Sequence, residues 1–460
     1  MSGRRVAVLV WTCMGPAMAV RPAMPDPLAR EVYKQLIEIN TSDSVGNTTQ
    51  AADAMAARLK AAGFPDADVQ VLGPDPRKGN LVARLRGSGS RKPLLLLAHL
   101  DVVEARREDW SVEPFVLLER DGYFYGRGTS DDKAMAAIFT ANLIHLKQAG
   151  ARPNRDLILA LTADEEGGDF NGVDWLLTHH RDLLDADYGL NEGGAGQIKD
   201  GRRVANAIQT SEKVYLSFRL EVRNPGGHSS LPVKDNAIYR LAAGLGRLAA
   251  FDFPLRTTAT TRLYFERLAA SQPGPLAADM RAVAGPTPDP AAAARLSQVP
   301  LYNSTLRTTC VATRLEGGHA DNALPQLAAA VVNCRMHPDD PPEWVEKTLV
   351  ATLGDPQIRV TPIGEARGCP ESPLLPEVLG AVEHVTGEMF PGVPVLPSMS
   401  TGASDSLYLR RAGIPMYGVS GIFRDIDDVR AHGKDERLLV SSFDEGREFL
   451  ERLVAALSQP

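Results

Sequence analysis

Two short runs of purely apolar residues, each leading directly into ionisable side chains, constrain this fold more than any other feature. Residues 94–98 precede His99 and Asp101, and residues 157–161 are followed closely by the acidic residues 164–166. Continuous apolar runs of this length are typical of strands buried on both faces of a parallel sheet. The carboxyl ends of such strands meet at one edge, where open α/β sheets bind ligands. The pattern therefore predicts an α/β fold with an ionisable cluster at that edge.

A third ionisable cluster, around Asp131 and Asp132, immediately precedes a predicted helix, and negative charge is favoured at a helix N-terminus. Taken singly, each cluster has an ordinary interpretation, such as a hydrogen-bonded histidine at a strand end or a polar turn. Together they would bring Glu165, Glu166 and the two aspartates close to His99. Burying so much like charge costs several kcal/mol per ion unless a cation compensates it. The combination indicates a metal site.

The spacing of apolar residues predicts alternating helices and strands through residues 26–210. The predicted helices cover residues 26–39, 48–62, 134–148 and 173–184. The predicted strands cover residues 69–72, 80–85 and 188–194 and the two apolar runs. The strand of the second run is expected to continue through Glu165 and Glu166. Strands that alternate with helices indicate an α/β sheet.

The pattern changes near residue 211, where apolar and polar residues alternate as in an antiparallel strand with one exposed face. From there to residue 365 the predicted order is strand, helix, strand, strand, helix, strand, which is the order of a ferredoxin-like module. Residues 251–302, rich in Ala and Pro, interrupt this module as an insertion. The sequence thus predicts a first domain, residues 26–210 and 366–460, that is split by an inserted α+β domain, residues 211–365.

Residues 1–19 have the composition of a secretory signal peptide. Arg4 and Arg5 precede an apolar stretch that ends in the small-residue pattern Ala17-Met18-Ala19. This pattern predicts cleavage after Ala19 and export to the periplasm or the exterior, and the stretch is too short for a stable membrane span. Two alternatives stay open, a buried N-terminal helix and a lipid anchor at Cys13.

Composition narrows the function classes. The 460 residues carry a net charge of −7 and contain no basic run, which argues against a nucleic-acid partner. Apart from Cys13, the cysteines are Cys310, Cys334 and Cys369, an odd number without a close pair. This distribution indicates neither a disulfide-stabilised scaffold nor a zinc site built from thiolates. A metal in this chain would therefore be held by carboxylates and imidazoles.

Six sequence motifs occur in an order that is similar to that of a known family. They are His99-Leu100-Asp101-Val102-Val103, Trp110 with Pro114-Phe115, Tyr125-Gly126-Arg127-Gly128-Thr129-Ser130-Asp131-Asp132-Lys133, Asp164-Glu165-Glu166-Gly167, Asn191-Glu192-Gly193-Gly194 and Gly226-Gly227-His228-Ser229-Ser230. In this order they resemble the co-catalytic zinc metallopeptidases, which include glutamate carboxypeptidase, aminoacylase, acetylornithine deacetylase and succinyl-diaminopimelate desuccinylase. The resemblance covers nearly the whole chain that would remain after cleavage. It implies a mixed-sheet catalytic domain with an inserted ferredoxin-like lid, or dimerisation, domain.

The resemblance also implies a centre of two zinc ions, for which Co²⁺ or Mn²⁺ could substitute. Asp131 would bridge the two ions, and a cis peptide bond would follow it. His99 and Glu192 would complete the first ion site, and Glu166 and His432 the second. The residues around His432 depart from the family pattern, so a histidine on a surface loop is the alternative interpretation.

Three further residues would act around the ions. Asp101 would orient the imidazole of His99. Glu165, adjacent to a ligand but pointing another way, would be the general base that takes a proton from water and delivers it to the leaving amine. His228 from the lid would bind the oxyanion. In many relatives the equivalent histidine comes from the partner subunit, which leaves open a functional homodimer through the lid domain.

The substrate carboxylate would be bound by residues of both domains. Residues 317–325 resemble the family's Asn-x-x-Pro signature, so Asn322 and the following Arg335 are candidates, because a guanidinium can recognise a carboxylate in a bidentate manner. Gly402 lies in a stretch that resembles the family's glycine-rich substrate loop. The alternatives are a surface charge for Arg335 and a helix cap for the loop of Gly402.

These residues predict a zinc-dependent hydrolase that cleaves an amide bond next to a free carboxylate, in a small peptide or an N-acyl amino acid. A metallo-carboxypeptidase or dipeptidase is the first interpretation, and an N-acyl-amino-acid amidohydrolase is the second. A non-catalytic binding protein on the same scaffold is the third. Such a protein would lack a ligand or the base, whereas every expected position is filled here.

Overall fold

The computed structural model describes residues 23–459. The predicted signal peptide and Cys13 lie outside the described residues. Between residues 23 and 459, no helix combines the length and the apolar composition that a membrane crossing requires.

Helices and strands alternate along the described chain, and we number them in chain order. The first part contains α1 Pro27–Glu38, α2 Thr48–Ala61, β1 Val69–Leu72, β2 Asn80–Leu85, β3 Leu94–His99, β4 Leu118–Arg120, β5 Tyr123–Tyr125, α3 Lys133–Gln148, β6 Leu157–Thr162, α4 Gly172–His179, α5 Arg181–Leu184, β7 Tyr188–Asn191, β8 Gly196–Lys199 and β9 Arg202–Glu212. The middle part contains β10 Val214–Arg223, β11 Gly227–His228, α6 Ala237–Ala249, α7 Ala259–Ala269, α8 Gly274–Ala284, α9 Pro290–Leu296, α10 Pro300–Leu306, β12 Thr309–Gly317, β13 Ala323–Leu324, β14 Leu327–Met336, α11 Pro342–Leu353 and β15 Arg359–Ile363. The last part contains α12 Pro376–Met389, β16 Val395–Ser400, α13 Ser406–Arg411, β17 Met416–Gly418, β18 Phe423–Asp425, β19 Arg437–Leu439 and α14 Val440–Ser458.

A mixed sheet of ten strands forms the centre of the first domain, in the order β1-β2-β6-β3-β7-β17-β9-β8-β18 with β16 beside β9. Strands β6, β3, β7 and β17 are parallel neighbours. Every residue of β3 and β6 is buried. Successive side chains of a strand point to opposite faces of the sheet, and both faces are covered by helices, as the neighbours Leu96 and Leu97 show. Helices α1, α3 and α14 cover one face, and α4 and α13 cover the other. This arrangement confirms the predicted mixed-sheet α/β fold.

The inserted domain contains a second, antiparallel sheet in the order β12-β14-β10-β15. Helices α6 and α11 share a separate hydrophobic core with this sheet, around Phe218 and Val332. Strand β10 alternates as its sequence indicates, since Phe218 and Leu220 are buried whereas Tyr215 is exposed. The order of strands and helices along the chain is that of a ferredoxin-like module.

A disulfide joins Cys310 and Cys334, which lie directly opposite each other on β12 and β14. The sequence pattern does not indicate this bond, because the two cysteines are 24 positions apart and only the register of the sheet aligns them. Cys369 is a free thiol within the described part of the chain. The described chain thus contains one disulfide between cysteines that are not close in the sequence.

The insertion at residues 251–302 folds as a helical unit. Helices α7 to α10 enclose a small core of their own, around Phe265 and Met280. Helix α7 packs against β16 of the ten-stranded sheet, and Arg267 on this helix donates to the carbonyl oxygen of Val395 at 2.9 Å. The insertion thus connects the inserted domain with the first domain.

Some elements differ from the sequence-based prediction. Strands β8, β9 and β16 are not indicated by an apolar pattern, because β9 buries polar side chains such as Asn206 and Gln209. The strand expected to carry Glu165 ends earlier, at Thr162. The helix expected over residues 173–184 is divided into α4 and α5.

Candidate metal centre

Three adjacent parallel strands deliver most of the ionisable side chains. His99 is the last residue of β3, Glu165 and Glu166 follow β6 after a short bend, and Glu192 directly follows β7. Because β6, β3 and β7 are parallel neighbours, their carboxyl ends lie at the same edge of the sheet. The ionisable cluster therefore lies at the edge that the apolar runs predict.

Asp131 lies between two histidines that come from opposite ends of the chain. Its Oδ1 atom is 3.1 Å from Nε2 of His99, and its Oδ2 atom is 3.2 Å from Nε2 of His432. His432, from the loop between β18 and β19, is also 2.9 Å from Oε1 of Glu166. The structure thus brings His432 into the cluster, although its flanking sequence is unusual. A cis peptide bond links Asp131 and Asp132.

Two overlapping groups of ligand atoms are compact enough to hold metal ions. Within each group the ligand atoms lie within 4.8 Å of one another, and the groups are His99 with Asp131 and Glu166, and His99 with Glu165 and Glu192. His99 belongs to both. All five predicted metal ligands and the predicted base, Glu165, therefore meet in one place.

Asp101 contacts the cluster through both its main chain and its side chain. Nδ1 of His99 is 2.9 Å from the carbonyl oxygen of Asp101 and 3.7 Å from its Oδ1 atom. The other carboxylate oxygen accepts a hydrogen bond from the main-chain N–H of Glu166 at 2.9 Å. Asp101 thus restrains two predicted ligands at once, and the carbonyl oxygen makes the shorter contact with the imidazole.

Burial and neighbouring charge shift the pKa values in the cluster. Burial raises the pKa of Glu165 well above its usual value, the charge of Glu192 adds to this effect, and burial likewise raises the pKa of Glu192. Burial opposes the ionisation of Asp131, but hydrogen bonds from His432 and His99 hold its pKa below the usual range. Hydrogen bonds to Asp131 and, to a lesser extent, to Glu166 raise the pKa of His432 to about 10. The carboxylates outnumber the imidazoles, which is an electrostatic condition that favours divalent cations.

Glu436 is a residue of the site that the sequence pattern does not reveal. It is fully buried, and its carboxylate accepts hydrogen bonds from the loop that carries Asp131. The only indication in the sequence is an acidic residue shortly after His432 in a polar loop. That spacing does not identify its partners.

The predicted residues of the inserted domain lie on or beside β11, β13 and β14, outside the ten-stranded sheet that carries this cluster. His228 is exposed in the short ladder of β11 with β13, and the carbonyl oxygen of nearby Asn322 accepts from the N–H of Ser229 at 3.0 Å. Arg335 is half-buried, with its guanidinium carbon 4.7 Å from the centroid of the Tyr215 ring. Within residues 23–459, no hydrogen bond or ion pair connects His228, Asn322 or Arg335 to the predicted metal ligands.

The loop that contains Gly402 borders the ionisable cluster. The N–H of Gly402 donates to the Ser400 hydroxyl at 3.0 Å. Asp405 further along is buried and accepts from Thr162, at the end of β6, at 3.0 Å and from Asn171 at 2.6 Å. Burial raises the pKa of Asp405 to about 6. The side chain of Asp405 makes no capping hydrogen bond to α13, so its role in this loop is not that of a helix cap.

A mixed α/β domain with imidazoles and carboxylates clustered at the carboxyl edge of its sheet, interrupted by a ferredoxin-like unit, is the arrangement of a hydrolase of the metallopeptidase class. The chain belongs to peptidase family M20/M25/M40, whose family model matches residues 95–456. This match confirms the family resemblance of the sequence motifs and the hydrolase class that they predict.

Individual relatives are similar over most of the chain. The N-fatty-acyl-amino acid synthase/hydrolase PM20D1 of Xenopus tropicalis is 31% identical over 356 residues, which cover 75% of this chain and 69% of that protein. Aminoacylase-1A of Rattus norvegicus is 27% identical over 372 residues, which cover 79% of this chain and 80% of that protein. The metallo-carboxypeptidase Sso-CP2 from Sulfolobus solfataricus has the same fold, with a TM-score of 0.70 and 17% identity over 94% of this chain and 99% of that chain.

Proposed function

We propose that this protein is a hydrolase with a two-zinc centre that cleaves an amide bond next to a free carboxylate. The observation that carries the proposal is the convergence of His99, His432 and Glu166 on Asp131. Family membership supports the hydrolytic activity. The proposal adds the identity and number of the ions and the chemical class of the substrate.

The available ligands suit zinc. Imidazole nitrogen and carboxylate oxygen are ligands that zinc accepts, and Co²⁺ or Mn²⁺ can occupy sites of similar composition. His99 and Glu192 would hold one ion and Glu166 and His432 the other, with Asp131 shared between them. When bound, such a pair of ions lowers the pKa of water and polarises a carbonyl group.

Glu165 is the proposed general base. Its carboxylate shares a compact group with His99 and Glu192, so it lies within reach of the same space as the proposed ligands. From this position it would accept a proton from water and deliver it to the leaving amine. Asp101 keeps the imidazole of His99 in a fixed orientation during this transfer.

Peptides with a free carboxylate are the first proposed substrates, and N-acyl amino acids are the second. Both present an amide bond next to a carboxylate, so one site could accept either. The name of the fold neighbour Sso-CP2 supports a carboxypeptidase. The name of PM20D1, which is nearer in sequence, supports an N-acyl-amino-acid hydrolase. This similarity is the specific reason to keep the second candidate.

The inserted domain would complete the substrate site as a lid. Asn322 and Arg335 would bind the substrate carboxylate, Gly402 would line the substrate loop, and His228 would bind the oxyanion. The exposed position of His228, without a contact to the cluster of its own chain, supports a contribution from a second copy of the chain in a homodimer.

We also propose that the protein is exported after cleavage of residues 1–19. The disulfide between Cys310 and Cys334 supports an oxidising compartment. N-terminal sequencing of protein recovered from the periplasm or the medium tests this proposal, and an intact Met1 on protein retained in the cytoplasm would contradict it.

Replacing Glu165 by Gln separates an enzyme from a binding protein. The amide cannot accept the proton, so we expect turnover to fall by about 10²- to 10⁴-fold, while the zinc content measured by elemental mass spectrometry stays at the wild-type level. Glu108→Gln, at an exposed position, is the control and should retain full turnover. Equal turnover of Glu165→Gln and wild type would contradict the assignment of the base.

A substrate screen distinguishes the two candidate functions. Dipeptides and N-acyl amino acids with matched C-terminal residues are compared on one zinc-loaded preparation, and the ranking of kcat/KM identifies the substrate class. Each pair includes the corresponding C-terminal amide. We expect the amide to be hydrolysed more slowly because Arg335 can no longer pair with a carboxylate, and equal rates would contradict recognition of the free carboxylate.

A further inference from the structure

Glu436 lies between two loops that each supply a proposed metal ligand. Its carboxylate binds the loop of Asp131, and His432 precedes it in its own loop. We propose that Glu436 is a positioning residue that fixes Asp131 and His432 relative to each other and thereby determines how tightly the centre holds its metals. This inference rests on the proposed metal centre.

Five hydrogen bonds reach the Glu436 carboxylate from residues 127–131. Oε1 accepts from the N–H and hydroxyl of Ser130 at 2.7 and 2.9 Å and from the N–H of Asp131 at 3.1 Å. Oε2 accepts from the N–H of Gly128 at 3.0 Å and from Nη1 of Arg127 at 2.8 Å. Three of the donors belong to the main chain, so the carboxylate determines the path of the loop itself. The Asp131 side chain leaves this loop towards both histidines.

The main chain of Glu436 is fixed to the same part of the protein. Its carbonyl oxygen accepts from the N–H of Gly126 at 3.1 Å. Strand β19, which begins at Arg437, pairs with β5, which ends at Tyr125. The loops of Asp131 and His432 therefore both adjoin the pairing of β19 with β5. The Glu436 carboxylate holds the two loops together beyond the end of this pairing.

Within residues 23–459, the carboxylate of Glu436 forms one ion pair, with Arg127. The side chains of Arg127 and Glu436 are only 3% and 1% exposed. Arg127 also lies over the Trp110 ring, at 4.9 Å from its centroid, and donates to the carbonyl oxygen of Glu104 at 3.2 Å. Removing one member of a buried pair leaves an uncompensated charge. Glu436→Gln would also place an amide N–H group opposite the groups of residues 127–131 that donate hydrogen bonds to the carboxylate.

The test compares Glu436→Gln with wild type by zinc affinity, measured by competition with a chromophoric chelator. We expect affinity to fall about 10- to 100-fold, the range found when groups that orient metal ligands are removed. The visible spectrum of the Co²⁺-loaded protein should change as well, because a displaced Asp131 alters the ligand geometry. Unfolding of the metal-free protein is measured in parallel, so that lost stability is separated from lost positioning.

Asp340→Asn is the matched control. Asp340 is a buried carboxylate of the inserted domain that accepts from the Thr308 hydroxyl at 2.6 Å and from Nε of Arg256 at 3.0 Å. We expect this variant to lose stability but to keep its zinc affinity and Co²⁺ spectrum. If Glu436→Gln does not fold, Glu436→Asp keeps the charge but retracts the carboxylate, and its zinc affinity should still fall.

Wild-type zinc affinity in either folded Glu436 variant would overturn the inference alone. A wild-type protein that binds no zinc would overturn the proposed metal centre, and the inference with it. The two failures are therefore distinguishable.

Discussion

Glu165 and Glu166 are adjacent in the sequence, but their carboxylates contact different neighbours. Glu166 contacts His432, whereas Glu165 belongs to the other group of ligand atoms. Asp164, directly before them, has a φ of 58°, in the left-handed region, and its carboxylate is 2.5 Å from Nζ of Lys78. The sequence predicts that the two glutamates diverge. It does not predict that a buried ion pair at Asp164 anchors the bend that separates them.

Lys213 connects the two domains at the end of β9, and its burial has a measurable effect. Burial lowers its pKa to about 7, and its Nζ donates to the carbonyl oxygen of Arg307 at 2.7 Å. An unfolded lysine has a pKa of about 10.4. Between these values the unfolded chain binds more protons, so the contribution of Lys213 to the free energy of unfolding rises with pH. Below about pH 7 the folded protein bears the full cost of the buried charge.

Lys213→Met removes this cost. We expect the variant to be more stable than wild type at pH 7, and its advantage to shrink between pH 7 and 10 with a slope approaching about 1.4 kcal/mol per pH unit. Urea unfolding at several pH values measures the difference. Lys234→Met, at an exposed position, is the control, and a pH-independent advantage of Lys213→Met would contradict the prediction.

At the scale of elements, a strand that is apolar on both faces could be predicted with nearly correct bounds, as β3 illustrates. Strand β9 could not, because its buried Asn206 donates to Thr386 and its buried Gln209 donates to Glu212. The partner of Asn206 is distant along the chain, and local sequence does not encode such a tertiary contact. The role of Glu436 was missed for the same reason, since it depends on the pairing of β19 with β5.

The insertion at residues 251–302 covers the edge strand β16, a contact that the composition of the insertion did not indicate. Strand β16 pairs with β9 on one side, and helix α7 packs against β16. Arg267 joins α7 to β16 through its hydrogen bond to Val395, and to α12 through an ion pair with Glu383 at 2.6 Å. Covering an edge strand in this way protects it from pairing with another chain.

Arg267→Ala should weaken this contact. Because Arg267 is partly buried and satisfies a main-chain carbonyl group, we expect the free energy of unfolding to fall by about 1–2 kcal/mol. Arg295→Ala is the matched control in the same helical unit, since Arg295 forms an ion pair with Asp279 but is 61% exposed, and its loss should cost clearly less because exposed ion pairs contribute little to stability. Equal effects of the two substitutions in a denaturant titration would contradict a bracing role for α7.

At the scale of the whole molecule, the proposed metal centre joins parts that are distant along the chain. His99, Asp131 and Glu166 precede the inserted domain, whereas His432 and Glu436 follow it. The family motifs predicted most of this set. The lid residues remain a prediction, because their proposed contacts depend on the position of the inserted domain and on a second chain.

Mixing two inactive variants tests a shared site. His228→Ala keeps the base and Glu165→Gln keeps the lid histidine, so a mixed dimer contains one complete site if His228 acts across the interface. We expect partial recovery of activity after the two variants are denatured and refolded together. Recovery should be absent when each variant is refolded alone, and no recovery from a mixture that contains mixed dimers would contradict the shared site.

The most direct test of the metal centre is the zinc content of the loaded and desalted protein, measured by elemental mass spectrometry for wild type and Asp131→Asn. We expect two zinc ions per wild-type chain and a clear loss in the variant, because Asp131 contacts both histidines of the cluster. A wild-type chain without bound zinc, or a variant that retains the full content, would contradict the account.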